Sequence, residues 1–161
     1  MLSKRLLTLF LCAVMLFTAT SCKGNKGVFT YCEMSISLGE DFSADEHENF
    51  DAVYTNDVYI VAVLRISFMA ALGEGIEETM TPYEFGKFYV EKCNRPTAIV
   101  DGEVAYCEYT DISGSVEYYY VESFYRSPYA YFVILFAAPV YARTEAKTDF
   151  IKYAQTVNFK I

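Results

Sequence analysis

Residues 97–139 read TAIVDGEVAYCEYTDISGSVEYYYVESFYRSPYAYFVILFAAP. β-branched and aromatic side chains fill this stretch, and groups of turn formers interrupt it at Asp101-Gly102, at "DISGS" and at "RSP". Asp-Gly between two β-rich runs is a strong short-range hairpin signal. The stretch therefore reads as consecutive strands joined by tight turns. Its last run, "YAYFVILFAAP", is apolar on both of its faces, which places that strand at the centre of a sheet covered on both sides.

Upstream of this meander lies a well-marked helix. Thr81-Pro82-Tyr83-Glu84 combines a capping box with proline at the first helical position. Phe85, Phe88, Tyr89 and Cys93 follow at helical spacing and make one apolar face. Glu84, Lys87 and Glu91 can pair along the outer face. Gly86 weakens the helix by about 1 kcal/mol relative to Ala, and Pro96 disfavours helix at Arg95. Earlier still, "DVYIVAVLRISF" places Val58, Ile60, Ala62, Leu64, Ile66 and Phe68 on one face at period 2. Residues 28–37, "VFTYCEMSIS", alternate in two phases, and the break near Cys32-Glu33 reads as a bulge. "LGEDFSADEHENFD" reads as an acidic loop, and residues 69–80, with Gly73 and Gly75, as a mobile loop or short helical turn. Downstream, a helix over about 144–156 sets Ala146, Phe150, Tyr153, Ala154 and Val157 on one face.

The order β-β-β-α-β-β-β-β-α calls for an α+β class, an antiparallel β-sheet meander flanked by helices. It resembles the PsbP-like superfamily, whose fold is an α/β/α sandwich. "MSISLGEDFS" sits where members of that family open with a strand running into a Leu-Pro-x-x-Phe-like loop, with Gly39 in place of the proline. The capped helix "TPYEFGKFYVEKC" precedes the meander as it does there, and "TVNF" is similar to the family's Val-x-Phe ending. The likeness covers nearly all of residues 28–161. The family includes photosystem accessory proteins, a nuclear-import factor that binds a small GTPase, and many bacterial lipoproteins without known activity. It supplies no shared catalytic set, so the resemblance implies fold and not function.

The first residues bear on the address. Lys4 and Arg5 form a positive n-region, and Leu6 to Phe17 is apolar except for Thr8. Twelve helical residues span about 18 Å, short of the roughly 20 residues a membrane span needs and right for the h-region of a signal peptide. Residues 18–22 are compatible with two cuts. Ala19 and Ser21 suit an ordinary A-x-A-like site, while "ATSC" resembles the lipobox of bacterial lipoproteins, with Ala19 where that motif usually carries Leu. The lipobox reading makes residues 1–21 a signal peptide and Cys22 a lipidated first residue. "KGNKG" becomes a flexible tether to 27, and residues 28–161 a single α+β domain. The expected address is then the extracytoplasmic face of a bacterial cell membrane, with the lipid on Cys22 as the membrane contact. The ordinary cut gives a secreted protein instead.

The whole chain carries a net charge of −8. Lys4 and Arg5 leave with the leader, and Lys23 and Lys26 lie in the tether, so residues 28–161 hold 9 basic and 21 acidic side chains, near −12. Such a body is repelled by nucleic acid, which is excluded as a partner. Besides Cys22, the mature chain has Cys32, Cys93 and Cys107, an odd number at no metal-binding spacing. They read as small buried apolar residues. A Cys93–Cys107 bridge is the alternative, worth about 3 kcal/mol if formed.

No catalytic constellation emerges. His47 is the only histidine, in the acidic loop, and there is no G-x-S-x-G, phosphate cradle or H-E-x-x-H. A Cys–His pair would need His47 to reach Cys93 or Cys107, which nothing in the sequence predicts. Glu40, Asp41, Asp45, Glu46, Glu48 and Asp51 offer oxygens to Ca²⁺, but not at EF-hand spacing, so they read as a solvated loop. No metal and no cofactor is expected. Fifteen tyrosines and no tryptophan are the most distinctive feature. A tight "DISGS" hairpin would set Tyr106 opposite Tyr120 and Glu108 opposite Tyr118. That face, Tyr106, Glu108, Tyr118 and Tyr120 with Phe124 and Glu122, suits a glycan or small ligand, or else packs under a helix with its hydroxyls at the rim. The leading expectation is a non-enzymatic, membrane-tethered interaction or accessory domain with a protein partner. The alternative is a ligand- or glycan-binding domain using the tyrosine face.

Overall fold

The structure, a computed structural model, describes residues 27–160. Strands β1 (Val28–Tyr31), β2 (Met34–Ser37), β3 (Ser43–Asp45), β4 (Ala52–Thr55) and β5 (Ile60–Ser67) come first. Helices α1 (Phe68–Gly73) and α2 (Pro82–Cys93) come next in the chain. The meander comprises β6 (Ile99–Asp101), β7 (Val104–Ser113), β8 (Val116–Arg126) and β9 (Ala130–Pro139). A 3-10 turn (Val140–Ala142), helix α3 (Arg143–Gln155) and β10 (Asn158–Phe159) end the fold.

A seven-stranded antiparallel sheet, in the order β3-β4-β5-β9-β8-β7-β6, forms the middle layer. β9 is its central strand and is buried from Ala130 to Ala138, as its unbroken apolar run requires. On one face, α1 and α2 cover Ala105, Phe124, Tyr131 and Val133. On the other, α3 and a small sheet, β1-β2-β10, cover Val61, Val63, Phe132, Ile134 and Phe136. The result is an α+β sandwich of helices on an antiparallel sheet. Among the described residues, no helix is long and apolar enough to cross a membrane.

The capped helix is as the sequence reads. Thr81 Oγ1 accepts from Glu84 N at 3.3 Å, and Glu84 Oε2 accepts from Thr81 N at 2.8 Å. α2 ends at Asn94, whose φ of +54° closes the last turn before Pro96.

Elsewhere the structure departs from what local pattern suggests. Residues 28–37 are a hairpin and not one bulged strand: Tyr31 pairs with Met34, and Cys32 turns the chain with φ +49°. The two phases belong to two strands. Within the acidic stretch and just after it lie β3 and β4, each too short for a periodicity to register. β5 is buried on both faces, with Val61 and Val63 on the side opposite Ala62. In the first hairpin of the meander, Asp101 pairs with Val104, so the loop is Gly102-Glu103 with φ +60° at the glycine.

Candidate functional site

The β7–β8 hairpin decides where the tyrosines go. Ser113 pairs with Val116, leaving Gly114-Ser115 as a two-residue loop. Gly114 has φ +65°, the positive value that the first loop position of a II′ turn needs. This loop sets the register: Tyr106 pairs with Ser123, Glu108 with Val121, Tyr109 with Tyr120 and Asp111 with Tyr118. This differs by three residues from the expected pairing of Tyr106 with Tyr120 and Glu108 with Tyr118. An odd slip moves one strand's side chains to the other face. Tyr106 and Glu108 are therefore parted from Tyr118 and Tyr120 by the thickness of the sheet.

On the α2 face, Tyr109 takes the place expected for Tyr106. Its ring stacks on Tyr120 with centroids 5.0 Å apart, and Tyr118 lies 6.1 Å beyond. The guanidinium of Arg95, delivered by the chain just past the C-terminus of α2, sits 4.2 Å from the Tyr109 centroid. Beneath them is Glu122, which is 5% exposed. Tyr109 donates its hydroxyl to Glu122 Oε1 at 2.8 Å, and the Cys107 thiol donates to Oε2 at 3.8 Å. Arg95 Nε is buried 3.8 Å from Glu122 Oε1 and donates no hydrogen bond, while Nη1 lies 3.8 Å from Asp111. Burial pushes the Glu122 carboxyl above its ordinary value, against the pull of Tyr109, Arg95 and Cys107. Tyr120 is 4% exposed, whereas Tyr118 and Tyr109 are half-buried. The arrangement is an aromatic row with a partly buried cation and a buried carboxylate at its inner end.

On the α3 face, Tyr106 and Tyr119 pack in the core with Ala146 and Phe150. Tyr119 donates to Glu108 Oε2 at 2.6 Å, Lys147 donates to Oε1 at 2.9 Å, and Arg143 covers the Tyr119 ring at 5.0 Å. Burial acts to raise the Glu108 carboxyl, but the hydrogen bonds from Tyr119 and Lys147 outweigh it and hold it below its usual value. Glu108 ties α3 to the sheet.

Other candidates remain apart. Cys22 lies outside the described residues. Cys32, Cys93 and Cys107 are free thiols. Burial, then the Glu122 charge, pushes Cys93 and Cys107 up, away from the thiolate that a nucleophile needs. His47 stays in its loop against Phe50, with ring centroids 5.4 Å apart. The acidic stretch is split by β3, and three of its carboxylates are held in hydrogen bonds within the fold. Asp41 accepts from Asn56, Asp45 from Glu46 N and Asp51 from Arg65 N. Among the described residues, no three His, Cys, Asp or Glu side chains gather to hold a metal ion.

The sequence reading missed Tyr109, Arg95 and Asp111. A signal for the tyrosine was present, because a hairpin loop opening on Gly114 sets Tyr109 opposite Tyr120. Nothing local predicts Arg95, which reaches the sheet only because α2 packs on it.

No protein-family model matches the chain, and no curated protein matches it. Solved structures do. The solution structure of cyanobacterial PsbP (CyanoP) from Synechocystis sp. PCC 6803 superposes with a TM-score of 0.52 at 12% identity, over 89% of this chain and 98% of that one. A crystal structure from Bacteroides thetaiotaomicron VPI-5482 superposes with a TM-score of 0.52 at 10% identity, over 80% of this chain. This chain matches 46% of the length of that protein, less than half. Likeness at such identities speaks for fold alone, and the fold of this chain is PsbP-like.

Proposed function

We propose that this chain is a lipid-anchored, non-enzymatic accessory domain that binds a protein partner at the outer face of a bacterial membrane. Anchoring rests on the short apolar leader, Cys22 after "ATS", and the polar tether. The interaction reading is carried by one observation: Met69 and Leu72 of α1 are 86% and 67% exposed. Tyr129, 56% exposed, precedes Ala130, which pairs with Ser67 at the start of that helix. Glu74, Glu77 and Glu78 come directly after α1 and are near its apolar side chains in sequence. Exposed apolar groups with a polar rim mark docking surfaces. Two measurements test this reading. The mass of the mature N-terminus from native membranes should show a diacylglyceryl group on Cys22, absent from Cys22→Ala. A photo-crosslinking residue at Met69 or Leu72 should capture one partner repeatedly from intact envelope. An unmodified Cys22 in the medium overturns the anchor, and crosslinks to no protein overturn the docking surface.

A second reading, a binder of glycans or small ligands, is favoured by the row Tyr109, Tyr120 and Tyr118. Tyr118, half-buried at the outer end of the row, pairs with exposed Asp111. A glycan array probed with the wild type and Tyr118→Ala tests it: signal lost in the variant supports this reading, and no signal with either removes it.

A further inference from the structure

The chain enters the domain at one identifiable end of the sheet. The carbonyl of Gly27 accepts from Leu38 N at 2.7 Å. Asp41, close after Leu38, accepts from Asn56 Nδ2 at 2.6 Å, and Asn56 opens the turn between β4 and β5. The ladders carry that end across the sheet: Thr55 pairs with Ile60, Ile60 with Ala137, Pro139 with Tyr118, and Ser113 with Val116. The entry point therefore shares an end with the 56–59 turn, the 3-10 turn at 140–142 and the tip of the β7–β8 hairpin.

Apolar side chains are exposed in and beside these turns. Tyr141 is 82% exposed, Ile112 68%, Val116 41% and Val58 39%. Exposed apolar groups also occur at the opposite end, at Met69, Leu72 and Tyr129, where carboxylates are gathered round them. The 46–51 loop, the segment after α1 and the β6–β7 turn gather there, and they present Glu46, Glu48, Glu74, Glu77, Glu78 and Glu103.

We infer that the apolar rim formed by Val58, Ile112, Val116 and Tyr141 rests on the lipid bilayer, with the end that carries α1 facing away from it. The inference rests on anchoring through Cys22. From Cys22 to Gly27 the chain reaches at most about 17 Å. β9 alone is about 33 Å long at the rise of a strand. So short a link holds the entry end at the membrane and leaves the far end beyond its own reach. Tyrosine suits the headgroup level. Asp41, Asp57, Asp111 and Glu117 lie at this end as well, so the contact is shallow. This orientation leaves Met69 and Leu72 facing outward.

The test uses the mature protein, purified with its lipid and reconstituted into phosphatidylcholine vesicles carrying a trace of diazirine-labelled phospholipid. The Cys22 mass is recorded first. After illumination, adducts should fall within 112–116 and 140–142 and be absent from Met69 and Leu72. The double variant Ile112→Ser/Tyr141→Ser should stay vesicle-bound with an unchanged melting temperature and lose most of those adducts. Met69→Ser should keep them. Adducts on α1 instead, or none on vesicle-bound protein with lipid on Cys22, overturn the inference and leave the anchor standing. Absence of lipid on Cys22 overturns both.

Discussion

Gly86 in α2 faces the ring of Phe124 in β8 so closely that a Cβ at Gly86 would lie 2.5 Å from Phe124 Cδ2 and 2.9 Å from Cγ. Phe124 is 1% exposed and cannot swing aside, being held by Phe85 and Tyr89 at ring distances of 6.0 and 5.6 Å. Gly86→Ala gains about 0.5–1 kcal/mol of helix propensity and meets an overpacking cost of about 1–3 kcal/mol. With Phe124 held on both sides the cost lies toward the upper part of that range, and the variant should be less stable by up to about 2.5 kcal/mol. Urea unfolding measures it, and an alanine variant as stable as wild type would sink this account of the packing.

The start of the same helix supplies a second prediction. Thr81→Ala removes the acceptor for Glu84 N and a donor to Glu84 Oε2. The loss should be about 1 kcal/mol. Thr81→Ser, which keeps the oxygen, should recover most of it in the same urea titration.

Glu122 makes stability depend on pH in the less common direction for a carboxylate. Its folded value lies above the ordinary 4.5, so its favourable contribution is whole below that value and is lost as pH rises through the folded one. Glu122→Gln removes this titration. The melting temperature of the variant minus that of wild type should therefore grow as pH rises from about 4. Arg95→Met withdraws the nearby cation and should carry the loss in stability to higher pH. A difference that shrinks with rising pH would contradict the burial assigned to Glu122.

The thiols should react in order of access. Cys32 is exposed, Cys93 half-buried and Cys107 wholly buried beside the Glu122 carboxylate. Iodoacetamide should modify Cys32 first and Cys93 slowly, and should reach Cys107 only in denaturant. Peptide mass mapping over time gives the order. Modification of native Cys107 at the rate of Cys32 would show that the α2–sheet layer opens readily.

Tyr118 and Tyr120 share a face but not a role. Tyr120 is 4% exposed and stacked on Tyr109, so Tyr120→Ala should cost about 3–5 kcal/mol, as for other large core rings. Tyr118 is half-buried at the end of the row, and Tyr118→Ala should cost about 1 kcal/mol. Thermal melts of the two variants separate these outcomes, and equal losses would mean that Tyr118 is also core.

Local pattern determined much of this fold. Apolar residues on both faces of 130–139 placed β9 at the centre of the sheet, because only a strand covered on both sides can bury both sets. Thr81, Pro82 and Glu84 marked the start of α2 to the residue, because a cap depends only on neighbours within one turn. The acidic charge too was legible before folding, because it depends on composition alone. Tertiary structure decided the rest. A period of two tells which residues of a strand lie together, but not which residues of the next strand join them. A slip of three residues at Gly114 divided the expected tyrosine face and replaced Tyr106 with Tyr109. The buried setting of Glu122 arises only when α2 lies across β7 and β8 and brings Arg95 with it, residues that are 27 apart in the chain meeting at 3.8 Å.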